Sequence, residues 1–184
     1  MALIQSEYKI LQLSAGAPDF SLPCIDGNTY SLEQLKGEKA TLIIFLCNHC
    51  PYVVPKIKEL RRIATDFKEK GLVVIGINPN ESENHPEDSF EKMKEYFERW
   101  DVDFFYLHDE TQEVAKAYGA VCTPDPFLFN EEGKLVYHGR IDDVHGEDES
   151  NVQELYEAIG ELIETGKIVH DAQPSMGCSI KWKD

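Results

Sequence analysis

The sequence predicts an α/β fold in which helices flank both faces of a central mixed sheet. Two short runs of branched apolar residues, 42–46 and 72–77, are typical of buried parallel strands. A segment whose apolar residues recur at helical spacing follows each run. A hairpin pattern within residues 127–138 then indicates an antiparallel edge.

The remaining elements follow from periodicity and from turn residues. Asp26-Gly27 and Glu132-Gly133 mark hairpin turns, because glycine readily adopts the positive φ that tight turns need. Gly71 ends the helix that follows the first apolar run. In chain order, the predicted elements are a hairpin at 19–22 and 28–30, a brief helix through residue 35, a strand at 42–46, a helix at 51–70, a strand at 72–77, a helix at 86–100, a strand at 104–107, a helix at 111–118, a hairpin at 127–129 and 134–138, and a helix from 150 to about 165.

Two of the predicted helices begin with a capping-box pattern, in which Ser is followed three residues later by Gln. In such a box the Ser side chain accepts the backbone N–H of the Gln, and the Gln side chain accepts the backbone N–H of the Ser. The two boxes are Ser31 with Gln34 and Ser150 with Gln153.

Length and charge limit the kinds of partner. We expect residues 1–184 to form one domain, with an N-terminal extension at 1–39 and a C-terminal tail at 167–184, since 42% hydrophobic residues suffice for an ordinary core.

The formal net charge of -16 gives an acidic, self-repelling surface. Such a surface disfavours unaided binding to nucleic acid or to an anionic membrane, so we expect proteins or small molecules as partners.

The cellular compartment is predicted from what the first residues lack. Residues 1–20 contain no apolar signal region, and the longest apolar run, 42–47, is far shorter than a bilayer span. We therefore expect a cytoplasmic protein. The five cysteines are an odd number, and a CxxC motif in a reducing compartment is more often catalytic or metal-binding than structural.

The CxxC motif Cys47-Asn48-His49-Cys50 is the strongest chemical signal in the chain. It sets two thiols one helical turn apart directly after the apolar run at 42–46. A strand-to-helix junction lowers a cysteine pKa through the unpaired N–H groups of the helix start, and a thiolate attacks disulfides best when its pKa lies near ambient pH. The motif indicates reversible disulfide chemistry, although its spacing alone equally fits zinc.

The chain resembles the thioredoxin superfamily over most of its length. Four features carry this resemblance, in chain order: the strand into Cys47-Asn48-His49-Cys50, Pro55, Thr123-Pro124 before residues 127–129, and Glu132-Gly133. The N-terminal hairpin and the helix at 86–100 resemble additions seen in peroxiredoxins. The motif CNHCPYV at 47–53, with Cys122-Thr123-Pro124 and the tail at 177–182, resembles redoxins of the alkyl hydroperoxide reductase and thiol-specific antioxidant type.

The resemblance implies a thioredoxin fold and a thiol-disulfide oxidoreductase that needs no cofactor. Cys47, as the thiol expected to be more exposed, attacks a substrate disulfide, and Cys50, shielded in the first helical turn, resolves the mixed disulfide. Thr123 and Pro124 form a cis-proline turn whose peptide groups bind an extended substrate. The implied partners are protein or small-molecule disulfides and a thiol reductant or reductase.

Asn48 and His49, which lie between the two cysteines, are expected to tune the redox preference. A nearby imidazolium or imidazole N–H stabilises a thiolate and so favours the reduced dithiol. We therefore expect a potential more oxidising than that of thioredoxin, which is about −270 mV. The alternative is that His49 is an exposed loop residue of little influence.

Peroxide reduction is an alternative function, with hydroperoxides as substrates. Cys50 occupies the peroxidatic position of peroxiredoxins. Those enzymes place Thr three residues earlier and Pro four residues before that Thr, where this chain has Cys47 and Ile43, so peroxidase activity is disfavoured. Thioredoxin also has a buried Asp six residues before its first cysteine, where this chain has Thr41. The group that moves protons to and from Cys50 is therefore not identified by sequence.

A thiolate metal site is the other alternative, formed by Cys47 and Cys50 with Cys122 or His49. A second CxxC is missing, so no metal is predicted. Cys122 and Cys178 are candidates for further redox thiols, although each also fits a structural role. Arg140 and the acidic residues at 142–143 and 147–149 are predicted to form a solvated loop.

Overall fold

Strands and helices alternate along the chain, as predicted. The computed structural model describes residues 3–7, 10–144 and 150–183. The elements are β1 (Leu3–Gln5), β2 (Ser21–Pro23), β3 (Thr29–Ser31), α1 (Leu32–Leu35), β4 (Ala40–Phe45), α2 (Ile57–Lys68), β5 (Leu72–Asn78), α3 (Phe90–Trp100), β6 (Phe105–His108), α4 (Glu113–Tyr118), β7 (Cys122–Thr123), β8 (Asp125–Asn130), β9 (Leu135–His138), α5 (Glu154–Thr165) and β10 (Met176–Ser179).

The central sheet has five strands in the order β6-β5-β4-β8-β9. Strand β4 runs parallel to β5, and β5 runs parallel to β6. Strand β8 runs antiparallel to both β4 and β9, so the sheet is mixed and has an antiparallel edge, as predicted. None of the helices within the described ranges has both the length and the apolar character that a membrane crossing requires.

All six residues of β4 are buried, and their side chains alternate between two clusters. Leu42 and Ile44 pack on the face that α2 and α5 cover. Ile43 and Phe45 pack on the opposite face, where the ring of Phe45 makes an edge contact with Tyr118. Each such side chain contributes about 1.5–3 kcal/mol on burial, so β4 is a rigid base for the residues that follow it.

Helix α2 begins six residues later than the sequence predicted. The Cys50 carbonyl oxygen accepts the N–H groups of Val53 and Val54 at 3.0 Å, which makes a turn, and a 3₁₀ segment at Val54–Lys56 follows. Pro55 lies in that segment and has no N–H to donate to a helix that begins at residue 51. The prediction that Cys50 lies in the first turn of a helix is therefore wrong.

The two predicted capping boxes have different outcomes. At α1, Gln34 Oε1 accepts the Ser31 N–H at 2.8 Å and Ser31 Oγ accepts the Gln34 N–H, which confirms that box. The prediction of a second box, Ser150 with Gln153, is wrong, because α5 begins at Glu154 with Gln153 as its N-cap. The Gln153 side chain accepts a hydrogen bond from Arg62 of α2 and is not available to cap its own helix.

A second sheet, which the sequence did not predict, joins both ends of the described chain to β7. Strand β10 pairs antiparallel with β1 on one side and with β7 on the other. Leu3 and Thr123 are the partners of Cys178 across these two ladders. After β10, the side chain of Ile180 is buried, whereas that of Trp182 is exposed.

Candidate active site

Three cysteine thiols and one threonine meet beyond the end of β4. Cys47 and Cys50 follow β4, Thr123 ends β7, and Cys178 lies in β10. Thr123 Oγ1 is 3.0 Å from Cys47 Sγ, and Cys178 Sγ is 2.9 Å from Cys50 Sγ. All five cysteines of the chain are reduced thiols in this structure. The fold therefore brings a third thiol to the predicted pair.

The hydrogen bonds around Cys50 favour its thiolate. When Cys50 is a thiolate, the thiols of Cys47 and Cys178 donate to it, as do the backbone N–H groups of Tyr52, at 3.4 Å, and Cys178. These bonds, the one from Cys47 above all, lower the pKa of Cys50 from 9.0 to about 5. The same Cys47–Cys50 bond, then burial and the Asp88 charge, raises the pKa of Cys47 well above 9.0. At neutral pH the pair holds its negative charge on Cys50 and its proton on Cys47.

Cys47 was predicted to be the more exposed of the two cysteines, but both are buried and exposure hardly distinguishes them. Cys47 exposes 2% of its surface and Cys50 exposes 1%. Thr123 lies against the first sulfur and the tail strand lies against the second, which explains why both are covered. The donors to the thiolate are two thiols, the N–H of Tyr52 in the turn and the N–H of Cys178 in β10, so a helix start does not account for the lowered pKa of Cys50.

Asn48 anchors the loop between the two cysteines. Its backbone N–H donates to Asp88 Oδ1 at 2.8 Å, and its Nδ2 donates to the Glu87 carbonyl oxygen at 2.7 Å. The buried Tyr106 hydroxyl donates to Asn48 Oδ1 at 2.8 Å. Asn48 itself is fully buried. It therefore fixes the CxxC loop to the segment that precedes α3, and its effect on the thiols is one of positioning.

Asp88 is a buried carboxylate beside the thiols that sequence reasoning missed. It lies in a 3₁₀ turn directly before Ser89, the N-cap of α3, and its Oδ2 accepts Asn80 Nδ2 at 2.7 Å. Its charge adds to the bond from Cys50 and to burial in raising the pKa of Cys47. Asp88 is therefore the candidate group for moving protons at the pair. One acidic residue in a charged segment gives no sequence signal of such a role.

His49 faces Asp88 and not a sulfur atom. Its Nδ1 lies 3.5 Å from Asp88 Oδ1, and among the described residues no hydrogen bond joins the imidazole to Cys47 or Cys50. The predicted direct stabilisation of a thiolate by His49 does not match this geometry. The imidazole lies beside the carboxylate of Asp88, whose charge raises the pKa of Cys47.

The Thr123–Pro124 peptide bond is cis, as predicted, and it lies against the thiols. Besides the contact of its hydroxyl with Cys47, Thr123 places its carbonyl oxygen 3.5 Å from Cys50 Sγ. That oxygen can accept a hydrogen bond from the protonated form of Cys50 only. Thr123 therefore contacts both cysteines of the pair.

The tail occupies the peptide groups that were predicted to bind a substrate. Strand β10 pairs with β7 through Cys178 opposite Thr123, and the Ser175 hydroxyl donates to the Pro124 carbonyl oxygen at 2.6 Å. The prediction that Thr123 and Pro124 offer these groups to a substrate strand is not met in this structure, because the chain itself fills that position.

Cys122 and Cys24 are both buried, Cys122 near the exchange pair and Cys24 in the hydrophobic cluster on the other face of the sheet. The hydrogen-bond partner of Cys122 Sγ is the Pro124 carbonyl oxygen at 3.9 Å, and Cys24 forms an antiparallel bridge with Leu107. Burial is the main cause that raises the pKa of each thiol, so both stay protonated at neutral pH. This geometry favours a structural role for Cys122 over a role as a redox thiol.

Buried ion pairs fix the segments around the site. Lys56 Nζ lies 2.6 Å from Asp142 Oδ1, and both side chains are almost fully buried. Arg140 pairs with Glu154 of α5. The predicted solvated loop is therefore wrong for Arg140 and Asp142, and the acidic residues at 147–149 lie outside the described residues.

A second buried pair lies directly after the cis-proline. His138 Nε2 of β9 is 2.9 Å from Asp125 Oδ1 of β8, and both residues are buried. Burial raises the pKa of Asp125, and the hydrogen bond from His138 opposes that rise. The pair joins the two strands next to Pro124. No local sequence pattern connects these two residues, which stand thirteen positions apart.

No group of three or more His, Cys, Asp or Glu side chains within the described parts of the chain is arranged to hold a metal ion. The metal alternative required Cys122 or His49 to join Cys47 and Cys50. Cys122 Sγ instead contacts a carbonyl oxygen, and the imidazole of His49 faces Asp88. The described donor groups therefore do not form the site that this alternative needs.

The strand order, the CxxC after β4 and the cis-proline before β8 define a thioredoxin-fold protein with a dithiol site. The solved thioredoxin domain of a thiol-disulfide oxidoreductase from Bacteroides vulgatus shares this fold, with a TM-score of 0.66, over 84% of this chain and 99% of that one, at 23% identity. The predicted thioredoxin fold is confirmed, and the hairpin β2–β3 and the inserted helix α3 are both present.

Residues 13–138 match the AhpC/TSA family, and the chain belongs to that family. The crystal structure of an uncharacterized conserved protein from Geobacillus kaustophilus is similar over 100% of this chain and 97% of that one, with a TM-score of 0.93 and 43% identity. Thiol-disulfide oxidoreductase ResA of Halalkalibacterium halodurans is 28% identical over 145 residues, which are 78% of this chain and 74% of ResA. The predicted redoxin family is confirmed.

Proposed function

We propose that the protein is a thiol-disulfide oxidoreductase that exchanges electrons through Cys47 and Cys50. The observation that carries the proposal is the placement of both CxxC sulfurs directly after β4, where each contacts Thr123 of the cis Thr123–Pro124 turn. The lowered pKa of Cys50 supports it. A dithiol in which one sulfur is ionised at neutral pH is prepared for exchange with a disulfide. The similarity to ResA supports the same class of reaction.

The proposed reaction passes two electrons from the dithiol to a substrate disulfide. One cysteine thiolate attacks a substrate sulfur, forms a mixed disulfide and releases the other substrate sulfur as a thiolate. The second cysteine attacks the mixed disulfide, releases the remaining substrate thiolate and leaves a Cys47–Cys50 disulfide. A thiol reductant then restores the dithiol, which is consistent with a reducing, cytoplasmic compartment as the proposed location.

The order of attack follows from where the proton rests. If Cys47 attacks first, as the resemblance implies, its proton must pass to Cys50, and their hydrogen bond provides that path. Asp88, whose charge acts on Cys47, is the proposed acceptor of that proton when Cys50 attacks the mixed disulfide. Both thiols are buried, so a substrate sulfur has to enter the site beside the tail strand.

The test is reduction of a protein disulfide by a thiol reductant, with the protein in catalytic amount. Wild-type protein is expected to accelerate the reaction, and Cys47→Ser and Cys50→Ser are expected to abolish the acceleration. Cys24→Ser is the matched control, because this thiol is buried but lies outside the site. A wild-type rate equal to that of the reductant alone would refute the proposal.

Trapping of a mixed disulfide decides which cysteine attacks first. If Cys47 attacks, Cys50→Ser protein accumulates a covalent adduct with the substrate, because the resolving thiol is missing. Accumulation in protein that carries both Cys47→Ser and Cys178→Ser, in which neither neighbouring thiol can release the adduct, would instead assign the first attack to Cys50. Mass measurement of the intact, acid-quenched protein reads out either adduct.

Peroxide reduction is the second candidate, favoured by the thiolate at Cys50 and the hydrogen bonds that stabilise it. In this reaction the thiolate displaces an alkoxide or hydroxide from a hydroperoxide and becomes a sulfenic acid. The Cys47 thiol then condenses with that acid, releases water and leaves the same disulfide. Peroxide consumption that exceeds disulfide reduction by the same protein would favour this candidate.

A further inference from the structure

The tail strand β10 holds Cys178 against the exchange pair. Its sulfur lies 2.9 Å from Cys50 Sγ, and its side chain is buried in the same cluster as Cys47 and Cys50. These two cysteines stand 128 positions apart in the chain, so the contact depends on the tail folding back over the site.

The backbone around Cys178 is fixed from several directions. A Cβ at Gly177 would lie 2.0 Å from the Thr123 carbonyl oxygen, so only glycine allows the tail to approach the cis-proline turn this closely. The Ser175 hydroxyl donates to the Pro124 carbonyl oxygen at 2.6 Å, and the Ser6 N–H donates to the Ser175 carbonyl oxygen at 2.8 Å. The position of Cys178 is therefore built by specific contacts on both sides.

We propose that Cys178 is a third redox thiol, which exchanges with the Cys47–Cys50 disulfide to form a Cys50–Cys178 disulfide. The inference rests on the proposed dithiol function and extends it. Strand β10 occupies the place beside Thr123 where a substrate strand was expected, and it brings a cysteine to that place. The tail thus supplies, within the chain, a thiol in the position of a bound partner.

The exchange step balances without an added oxidant. The Cys178 thiol loses its proton and attacks Cys50 Sγ, the Cys50–Cys178 bond forms, and the Cys47–Cys50 bond breaks. Cys47 leaves as a thiolate and takes up one proton, so the protein remains oxidised by two electrons. The sulfur atoms have to close from 2.9 Å to a bonded distance of about 2.05 Å, a small movement.

The exchange returns Cys47 to its reduced form, and the disulfide then joins Cys50 to Cys178 of β10. Cys122, on the neighbouring strand, is also buried, but the hydrogen bond of its sulfur among the described residues goes to the Pro124 carbonyl oxygen. Proximity to the site is therefore shared by two cysteines, whereas sulfur contact with Cys50 distinguishes Cys178. This difference makes Cys122→Ser the matched control.

The test compares Cys47→Ser protein with the Cys47→Ser, Cys178→Ser double variant after treatment with oxidised glutathione. The samples are acid-quenched, alkylated, digested without reduction and mapped by mass spectrometry. In Cys47→Ser protein, Cys178 is expected to displace glutathione from Cys50 and leave a Cys50–Cys178 disulfide. In the double variant the glutathione adduct on Cys50 is expected to last at least about tenfold longer, because no intramolecular thiol attacks it.

Equal persistence of the adduct in both variants, or no Cys50–Cys178 disulfide at equilibrium in a glutathione buffer, would overturn the proposal. Mapping of oxidised wild-type and Cys122→Ser protein gives the same answer without the Cys47 substitution, and both are expected to contain the Cys50–Cys178 disulfide. If this disulfide forms but wild-type protein reduces no substrate disulfide, the proposed function fails and the third thiol stands. If turnover is normal and the disulfide never forms, only the third thiol fails.

Discussion

Replacing Cys178 by alanine tests how strongly its thiol stabilises the Cys50 thiolate. The substitution removes a donor 2.9 Å from Cys50 Sγ and leaves the backbone ladder of β10 intact. A hydrogen bond to a charged group contributes about 1.5–3 kcal/mol, and because S–H is a weak donor we take the lower figure, about 1.5 kcal/mol. Since ~1.4 kcal/mol corresponds to one pKa unit, the Cys50 pKa is expected to rise by about one unit from its value of about 5.

The ultraviolet absorbance of the thiolate, followed from acidic to neutral pH in reduced protein, measures this change. Cys178→Ser is the control, because its hydroxyl keeps a donor at the same position and should hold the Cys50 pKa near that of the wild type. The weaker thiolate in Cys178→Ala also disfavours the reduced dithiol, so the redox potential is expected to fall by about 30 mV. Identical titrations of the alanine variant and the wild type would refute the assigned hydrogen bond.

The pH dependence of stability follows from the same group. The folded-state pKa of Cys50, about 5, lies below its ordinary value of 9.0, so the unfolded state binds more protons between these two values. Cys50 therefore adds to the free energy of unfolding, fully above pH 9.0 and progressively less as the pH falls toward about 5. Denaturant unfolding of reduced wild type against Cys50→Ser should show a difference that shrinks on acidification, and a difference independent of pH would contradict the lowered pKa.

Two predictions concern the supports of the site, and denaturant unfolding tests both. Gly177→Ala places a Cβ 2.0 Å from the Thr123 carbonyl oxygen and should destabilise the protein by about 1–3 kcal/mol or more. The control is Gly160→Ala in α5, whose Cβ would lie 3.7 Å from its nearest neighbour and which should stabilise the protein by about 0.5–1 kcal/mol. Equal effects of the two substitutions would contradict the close approach of the tail. Lys56→Met leaves Asp142 buried without its cation and should cost about 3–5 kcal/mol, and adding Asp142→Leu should restore most of the loss. A double variant as unstable as the single one would show that the ion pair is not the cause.

The central sheet could be predicted because its signals are local. The branched run of β4 and the helical periodicities of α2 and α3 each lie within one stretch of sequence. The start of α2 was predicted wrongly, since apolar spacing continues through a turn that Pro55 prevents from being helical. Strands β1, β7 and β10 were missed, because two to four residues are too few to show an alternating pattern.

The reacting pair and the cis-proline turn were found from the order of motifs along the chain, whereas their surroundings were not. Asp88 reaches the CxxC loop through a turn that only the folded chain defines. The burial of Cys47 and the contact of Cys178 with Cys50 both depend on neighbours distant in sequence. Such contacts carry no local pattern, so the sequence predicted the thiols but not which of them is ionised.

The sheet formed by β1, β10 and β7 makes the two ends of the described chain part of the redox site. Terminal segments are usually the first to fray and the safest places for affinity tags or fusions. Here Leu3 pairs with Cys178, so fraying of β1 loosens the strand that covers Cys50. A tag at either end is therefore a chemical perturbation of the thiols, and hydrogen exchange at β1 and β10 should report on the opening of the active site.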